Sequence, residues 1–231
     1  MNMDTNPFLD GKVILIDKDL EWSSFQVVNK IRYLIRNHYK LKKIKVGHAG
    51  TLDPLASGLL VLCTGKMTKK IADYQGQEKE YTGTITLGTT TPSYDLETEV
   101  DQHFPIDYIT EDLLENVAQK FVGEIEQYPP VFSALKKDGK RLYEYARAGE
   151  EVTIKARKIE ISSFSLTRIC LPEVDFTVRC SKGTYIRSLA HDFGKALGSG
   201  AHLSRLRRTA IGNLRVENAQ SVADFEEFLK A

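Results

Sequence analysis

The residue of this sequence best placed to do chemistry is Asp53, in the segment "GHAGTLDPLASG" at positions 47–58. Three glycines frame this single carboxylate, and Pro54 follows it directly. Proline disfavours the helical conformation for the residue before it, so we expect Asp53 to be extended. The glycines permit close approach of the backbone to a bulky ligand. A carboxylate held in this way can serve as a nucleophile or a general base. Taken alone, the segment favours another interpretation, namely a turn aspartate that hydrogen-bonds its own loop.

Other patterns that carry chemistry fail on inspection. A phosphate-binding loop would need Ser or Thr after Gly65-Lys66, where Met67 stands. The glycines at 198 and 200 lack the third glycine of a dinucleotide fingerprint, no HExxH motif occurs, and no Gly-x-Ser-x-Gly surrounds Ser57. We therefore expect no metal and no small-molecule cofactor.

The charges are segregated, although the net charge of the 231 residues is only +1. Residues 30–47 hold seven Lys or Arg and no acid, and residues 193–216 hold five and again no acid. Residues 95–126 invert the balance, with ten acids against Lys120. Segregated positive charge is typical of a polyanion binder. The alternative is that each run is simply a solvated face.

Hydrophobic periodicity predicts an α+β fold with a mixed, largely antiparallel sheet, because strands, helices and hairpins follow one another without a regular βαβ repeat. No linker or internal repeat divides the chain, which indicates one domain. The expected helices are one capped by Ser23 or Ser24, 68–74, one from Thr110 to Phe121, one capped by Thr184, and 221–230. The expected strands are 11–17, 43–46, 59–63, 81–87, 152–166, 173–181 and 211–216.

The compartment is predicted to be the cytoplasm. No basic region followed by an apolar stretch opens the chain, and the apolar runs are too short to span a bilayer. The three cysteines form no CxxC pair, which fits a reducing environment. We expect no membrane association.

Several collinear segments resemble the bacterial tRNA pseudouridine-55 synthases of the TruB family. They are "VILIDKDLEWSS", "GHAGTLDPLASGLLVLCTG", "KEYTGTITLG", "YPPVFSALKKDGKRLYEYARAGEEV", "CSKGTYIRSLAHDFGKAL" and "GSGAHLSRLRRTAIG". The resemblance implies a pseudouridine synthase fold with flanking helices, and isomerisation of uridine 55 in the T-arm stem-loop of tRNA. It implies a cofactor-free monomer with one catalytic domain over 1–231. The C-terminal PUA domain carried by many members is expected to be absent.

The resemblance also implies roles for particular residues. Asp53 falls at the catalytic aspartate, Tyr81 at a tyrosine that stacks on the target base, and His48 at a histidine that occupies the space of the flipped nucleotide. Tyr185 falls at an active-site tyrosine, Arg187 at an arginine that pairs with the aspartate, and Leu206 at an apolar residue lining the uracil pocket. Whether Asp53 acts as nucleophile or base stays open.

One departure from the family pattern lies in "TTTPSYDLETE". A second acidic residue of the family is replaced around Thr91-Pro92, while Asp95 keeps its place, so RNA contacts by this loop are in doubt.

Two other functions fit part of the sequence. A glycoside hydrolase would need two opposed carboxylates, and no motif supplies a partner for Asp53. A non-catalytic RNA-binding protein would explain the basic segments but not the stiffened aspartate.

Overall fold

A computed structural model of the chain describes residues 6–133, 135–150 and 152–230. The chain divides into two compact units: unit 1 holds residues 1–81 and 207–231, and unit 2 holds residues 82–206. The α-helices are α1 (Pro7–Asp10), α2 (Ser24–His38), α3 (Ile71–Gly76), α4 (Glu111–Gln119), α5 (Leu142–Arg147), α6 (Ile186–Ala196) and α7 (Val222–Lys230). The strands are β1 (Val13–Lys18), β2 (Val46–His48), β3 (Ala56–Thr64), β4 (Lys79–Leu87), β5 (Thr89–Thr90), β6 (Gln102–His103), β7 (Gly123–Gln127), β8 (Lys136–Lys137), β9 (Lys140–Arg141), β10 (Arg157–Cys170), β11 (Glu173–Cys180), β12 (Ala201–Ile211) and β13 (Leu214–Arg215).

Unit 1 is organised around β3, whose apolar run is buried on both faces. Leu60 and Leu62 pack with α2, α7 and β1, whereas Leu59 and Val61 pack with Ile211 on the opposite face. Because side chains alternate along a strand, a run with no polar break is what a strand covered on both sides requires. β1 and β2 pair antiparallel with β3.

The helix α2 begins as its sequence predicts. Ser23 is the N-cap, and Gln26 completes a capping box with it, which satisfies backbone N–H groups that the first turn leaves without partners. The helix buries Val27, Ile31 and Ile35 at helical spacing, so its apolar stripe faces β3 and α7.

Unit 2 places a helix pair against an antiparallel ribbon. β10 pairs antiparallel with both β11 and β7, and the strand order continues from β11 to β4. Phe164 of β10 meets Phe121, Phe176 and Phe193 in edge-to-face contacts. These rings join the ribbon to α6 and to the end of α4, and edge-to-face packing suits their quadrupoles.

The α+β class with a largely antiparallel sheet is confirmed. The strand pairs of both units described above are antiparallel, and Ile16 and Gln220 add an isolated parallel bridge. β4 and β12 each contain residues of both units. Among the described residues, no helix combines the length and the apolar character needed to cross a bilayer.

Several predicted elements were wrong in their bounds. The short strand expected at 43–46 lies at Val46–His48, and the strand expected from Val152 begins at Arg157. The helix expected at 68–74 is a 3₁₀ turn over Gly65–Lys70 followed by α3. A pattern in short segments determines an element's type better than its ends.

Two larger errors concern the C-terminal third of the chain. Thr184 does not cap α6: its hydroxyl donates to the Ser181 carbonyl oxygen at 3.0 Å, and Tyr185 is the N-cap residue. The second error is the strand β12. Only its last residue, Ile211, falls in the expected strand 211–216, and the rest of β12 has no counterpart among the predicted strands. Its basic residues conceal the strand in the sequence, because a basic run fits a solvated face as readily as a strand.

Candidate active site

The loop between β2 and β3 places Asp53 just before the start of β3. Asp53 is half-buried, and its backbone oxygen accepts a hydrogen bond from Ala56 N at 3.0 Å. The chain therefore turns at Pro54 and enters β3 immediately afterwards. The hydrogen bond of this turn is made by the main chain of Asp53, not by its carboxylate.

The backbone beside Asp53 is anchored to the start of α2. The Ser24 hydroxyl accepts from Leu52 N at 2.8 Å and donates to the Leu52 oxygen at 3.0 Å, and all these groups are buried. On the other side of Asp53, Glu21 N donates to the Pro54 oxygen at 2.8 Å. Sequence reasoning considered Ser24 only as a helix cap, and its role as a loop anchor was missed.

A buried arginine holds the same loop from β12. The Arg208 guanidinium donates to the oxygens of Leu59 at 2.8 Å, Gly50 at 3.1 Å and Thr51 at 3.4 Å. Its side chain is 1% exposed, so it cannot contact a phosphate group in this structure. The expectation that the basic segment 193–216 faces a polyanion is therefore wrong for Arg208.

A second buried cation is Lys18, the last residue of β1. Its ammonium group donates to the Asp19 oxygen at 2.8 Å and the Trp22 oxygen at 2.7 Å. Burial lowers the pKa of Lys18 to about 8, the charges of Asp53 and Asp19 oppose this shift, and that of Arg208 adds to it. Asp53 is thus electrostatically coupled to a buried cation.

The sequence alone does not show that Lys18 is buried, because residues 13–16 are all apolar and do not alternate. Along β1, the buried residues alternate as Ile14, Ile16 and Lys18. A period of two therefore places Lys18 on the apolar face, where a charged residue is expensive unless it has partners.

The other predicted site residues of unit 1 lie on neighbouring strands. His48 ends β2 opposite Leu62, and its Nδ1 is buried. Burial, and then the charge of Arg208, lowers the pKa of His48, which favours the neutral ring at pH 7. Tyr81 lies on β4 and is 8% exposed.

In unit 2, the structure brings Tyr185 and Arg187 together at the start of α6. The Gln127 amide bridges the backbone of Tyr185, accepting from its N at 2.8 Å and donating to its O at 3.0 Å. The Arg157 guanidinium lies 4.8 Å from the centre of the Tyr185 ring. The tyrosine is thereby fixed from its backbone and from its ring.

Arg187 is buried and contacts the loop that holds Asp95. Its Nη1 donates to the Ser93 oxygen at 3.1 Å, and its Nε lies 3.6 Å from an Asp95 carboxylate oxygen. Leu206 is half-buried on β12 in the same unit. Within the described residues, no cluster of His, Cys, Asp and Glu is large enough to hold a metal ion.

Comparison with known proteins identifies the class to which this fold and these residues belong. Residues 36–186 match the TruB family pseudouridylate synthase N-terminal domain, and residues 187–231 match the tRNA pseudouridylate synthase B C-terminal domain. The chain belongs to the TruB family of pseudouridylate synthases.

Individual relatives agree with this family. The tRNA pseudouridine synthase B of Flavobacterium johnsoniae is 62% identical over 99% of this chain and 100% of its own length. The protein of the same name from Phocaeicola vulgatus is 55% identical over 96% of this chain and 94% of its own. A solved structure, a Cbf5-Nop10-Gar1 complex, matches with a TM-score of 0.70 and 30% identity over 96% of this chain and 55% of that chain.

The coupling between Asp53 and Lys18 gives a pH-dependent prediction. We expect Lys18 to titrate with a pKa of about 8, and Asp53→Asn to lower this pKa, because the negative charge that favours the ammonium form is removed. The measurement is an NMR titration of the lysine side chains, with the Lys18 resonance assigned from Lys18→Arg. A wild-type pKa at the ordinary lysine value, or one unmoved by Asp53→Asn, would contradict this arrangement.

Proposed function

We propose that this chain is a tRNA pseudouridine synthase, an isomerase that converts uridine 55 in the T-arm loop of tRNA into pseudouridine. The support is the family membership together with relatives that carry this name and match the whole chain. The finer assignment, to the T-arm loop and to position 55, extends the resemblance drawn from the sequence.

One observation carries the catalytic assignment. Asp53 is the carboxylate whose flanking backbone is anchored on both sides, by Arg208 and Ser24 before it and by Glu21 after it. Holding a reacting group in a fixed position can contribute several kcal/mol to a rate, of the order of 7–11 in favourable cases. We therefore assign the chemistry to Asp53.

The reaction needs no group beyond the protein and its substrate. The bond between ribose C1′ and uracil N1 breaks, the base turns, and a bond forms between C1′ and C5. The C5 proton leaves to solvent, and N1 acquires a proton. An ionised Asp53 serves this sequence either as a nucleophile at the ribose or as a base acting on it. The base must first leave its stack, as in other enzymes that act on bases.

The roles of the remaining site residues are part of the proposal. Tyr81 stacks on the uracil while it is detached, and His48 fills the space of the flipped nucleotide. Tyr185, Arg187 and Leu206 contribute an active-site tyrosine, a cation and an apolar wall. These roles rest on the family resemblance of their sequence segments.

The basic segment 30–47 is the proposed contact for the RNA backbone. Lys40, Lys42, Lys43 and Lys45 are exposed, and the segment contains no acid. Phosphate contacts by such residues supply much of the affinity for nucleic acid. We also propose that the protein is a cytoplasmic monomer and that residues 1–231 work as one catalytic domain.

Asp53→Asn is expected to abolish turnover while leaving tRNA affinity within about threefold of wild type, because the amide can neither attack nor accept the proton. The substrate is a T-arm hairpin with tritium at C5 of uridine 55, and the measurement is tritium released to water. The control is Asp73→Asn, a surface aspartate that pairs with Lys70, which should release tritium as wild type does.

Four outcomes would contradict all or part of the proposal. Tritium release by purified Asp53→Asn would remove the aspartate from the mechanism. Free uracil in the product would instead indicate a glycoside hydrolase, and binding without any base change would indicate an RNA-binding protein. Release from whole tRNA labelled at C5 of all its uridines, with none from the labelled hairpin, would contradict the T-arm assignment alone.

Neutralising the exposed lysines is expected to weaken RNA binding in a salt-dependent way. In the triple variant with Gln at Lys40, Lys42 and Lys43, the slope of log K against log salt should become shallower by about 0.7–0.9 for each phosphate that is no longer neutralised. The measurement is filter binding of tRNA at several salt concentrations.

A matched control removes the same charge from other parts of the surface. It is the triple variant with Gln at Lys12, Lys120 and Lys230, which are also exposed. Equal slopes for the two triple variants would make the basic segment a solvated face.

A further inference from the structure

The Arg208 side chain stands out because it is a fully buried cation whose hydrogen bonds all go to backbone carbonyl groups. A buried charge is costly unless it has partners. Here the partners are the oxygens of Gly50, Thr51 and Leu59. The acceptors at 50 and 51 precede Asp53, and the acceptor at 59 follows it in β3.

This pattern of acceptors determines what the guanidinium can fix. Nε is bonded to strand β3, while Nη1 and Nη2 are bonded to the loop, so one planar group ties the two ends of the Asp53 turn together. The guanidinium presents its donors in a rigid fork, whereas a lysine ammonium is a point charge on a flexible stem. Lysine at this position could satisfy one end of the turn but could not hold both.

The backbone of β12 is also fitted closely to the loop at this residue. Gly58 has φ +102°, and a Cβ at this position would lie 2.3 Å from the Arg208 backbone oxygen and 2.8 Å from its nitrogen. Only glycine allows so close an approach in this conformation. The main chain and the side chain of Arg208 therefore meet the same turn from the same strand.

We infer that Arg208 is a positioning residue for the reaction: its guanidinium sets the place of the Asp53 carboxylate by clamping both ends of the turn. The inference rests on the proposed role of Asp53. Arg208 touches no substrate and acts only through the backbone of the turn. A displacement of about 1 Å at a reacting group can lower a rate about 10²-fold, so loosening the clamp should affect chemistry before it affects binding.

The test is Arg208→Lys, which keeps the charge and removes the fork. Enzyme in excess over the tritium-labelled T-arm hairpin gives the single-turnover rate constant, and filter binding gives Kd. We expect the rate constant to fall at least about thirtyfold and Kd to stay within about threefold. The adjacent Arg207→Lys is the matched control. Arg207 pairs with Asp17 at 2.6 Å, and near the turn it makes only a long contact of 3.5 Å to the Ser57 hydroxyl. The rate constant of this variant should stay within about threefold of wild type.

A general loss of stability must be separated from a loss of position. Ile35 is fully buried in α2, away from the turn. Ile35→Val and Ile35→Ala lower stability without touching the turn, and the one whose melting temperature is closer to that of Arg208→Lys serves as the stability-matched control. This control should keep the wild-type rate constant at 25 °C. Arg208→Gln is a second test variant, in which an amide replaces the guanidinium. Its single-turnover rate constant should also fall while its Kd stays near that of wild type.

The inference is overturned if folded Arg208→Lys reacts within about threefold of wild type, or if its loss lies in Kd. It is also overturned if the stability-matched Ile35 variant loses as much rate, or if neither Arg208 variant folds at 15 °C by circular dichroism, since the guanidinium would then serve folding. Failure of the proposed function is a different result, because wild-type protein itself would then release no tritium.

Discussion

The structure of unit 1 depends on how a buried positive charge is satisfied where β12, β3 and the Asp53 turn meet. Arg208 cannot reach solvent, so its donors must be matched by acceptors from the surrounding backbone. Those acceptors are the carbonyl groups of the turn and of the strand that follows it. The need to solvate one cation thus determines the path of the chain around the carboxylate.

Lys18 extends the same arrangement. Its ammonium group is also buried and is also solvated by carbonyl oxygens, from Asp19 and Trp22. The charge of Asp53 opposes the shift that burial imposes on the pKa of Lys18. Both proposed routes for the isomerisation require an ionised Asp53, and in general a cation near a carboxylate favours that form.

Much of the framework could be predicted from the sequence because it follows from periodicity. The apolar run of β1, the continuous apolar run in β3 and the capped stripe of α2 each have a local signature, and the structure confirms all three elements. Asp53 could be singled out for a similar reason, since the glycines and Pro54 act on their own neighbours along the chain.

The anchors of the turn could not be predicted in this way. Ser24, Lys18 and Arg208 act on backbone groups, and for Ser24 and Arg208 these groups are distant in sequence. Arg208 was misjudged because a sequence displays a charge but not its burial, and a run of basic residues fits a strand as readily as a surface.

The clamp can be tested most directly through the backbone that it is said to hold. The amides of Leu52 and Ala56 are both hydrogen-bonded in the turn, so their hydrogen exchange reports its opening. In Arg208→Lys, these two amides should exchange at least about tenfold faster than in wild type, equivalent to about 1.4 kcal/mol in the opening free energy. The amides of Ile31 and Ile35 in α2 should be unchanged. Unchanged exchange at Leu52 and Ala56 would contradict the proposed clamp, because the turn would then keep its place without the guanidinium.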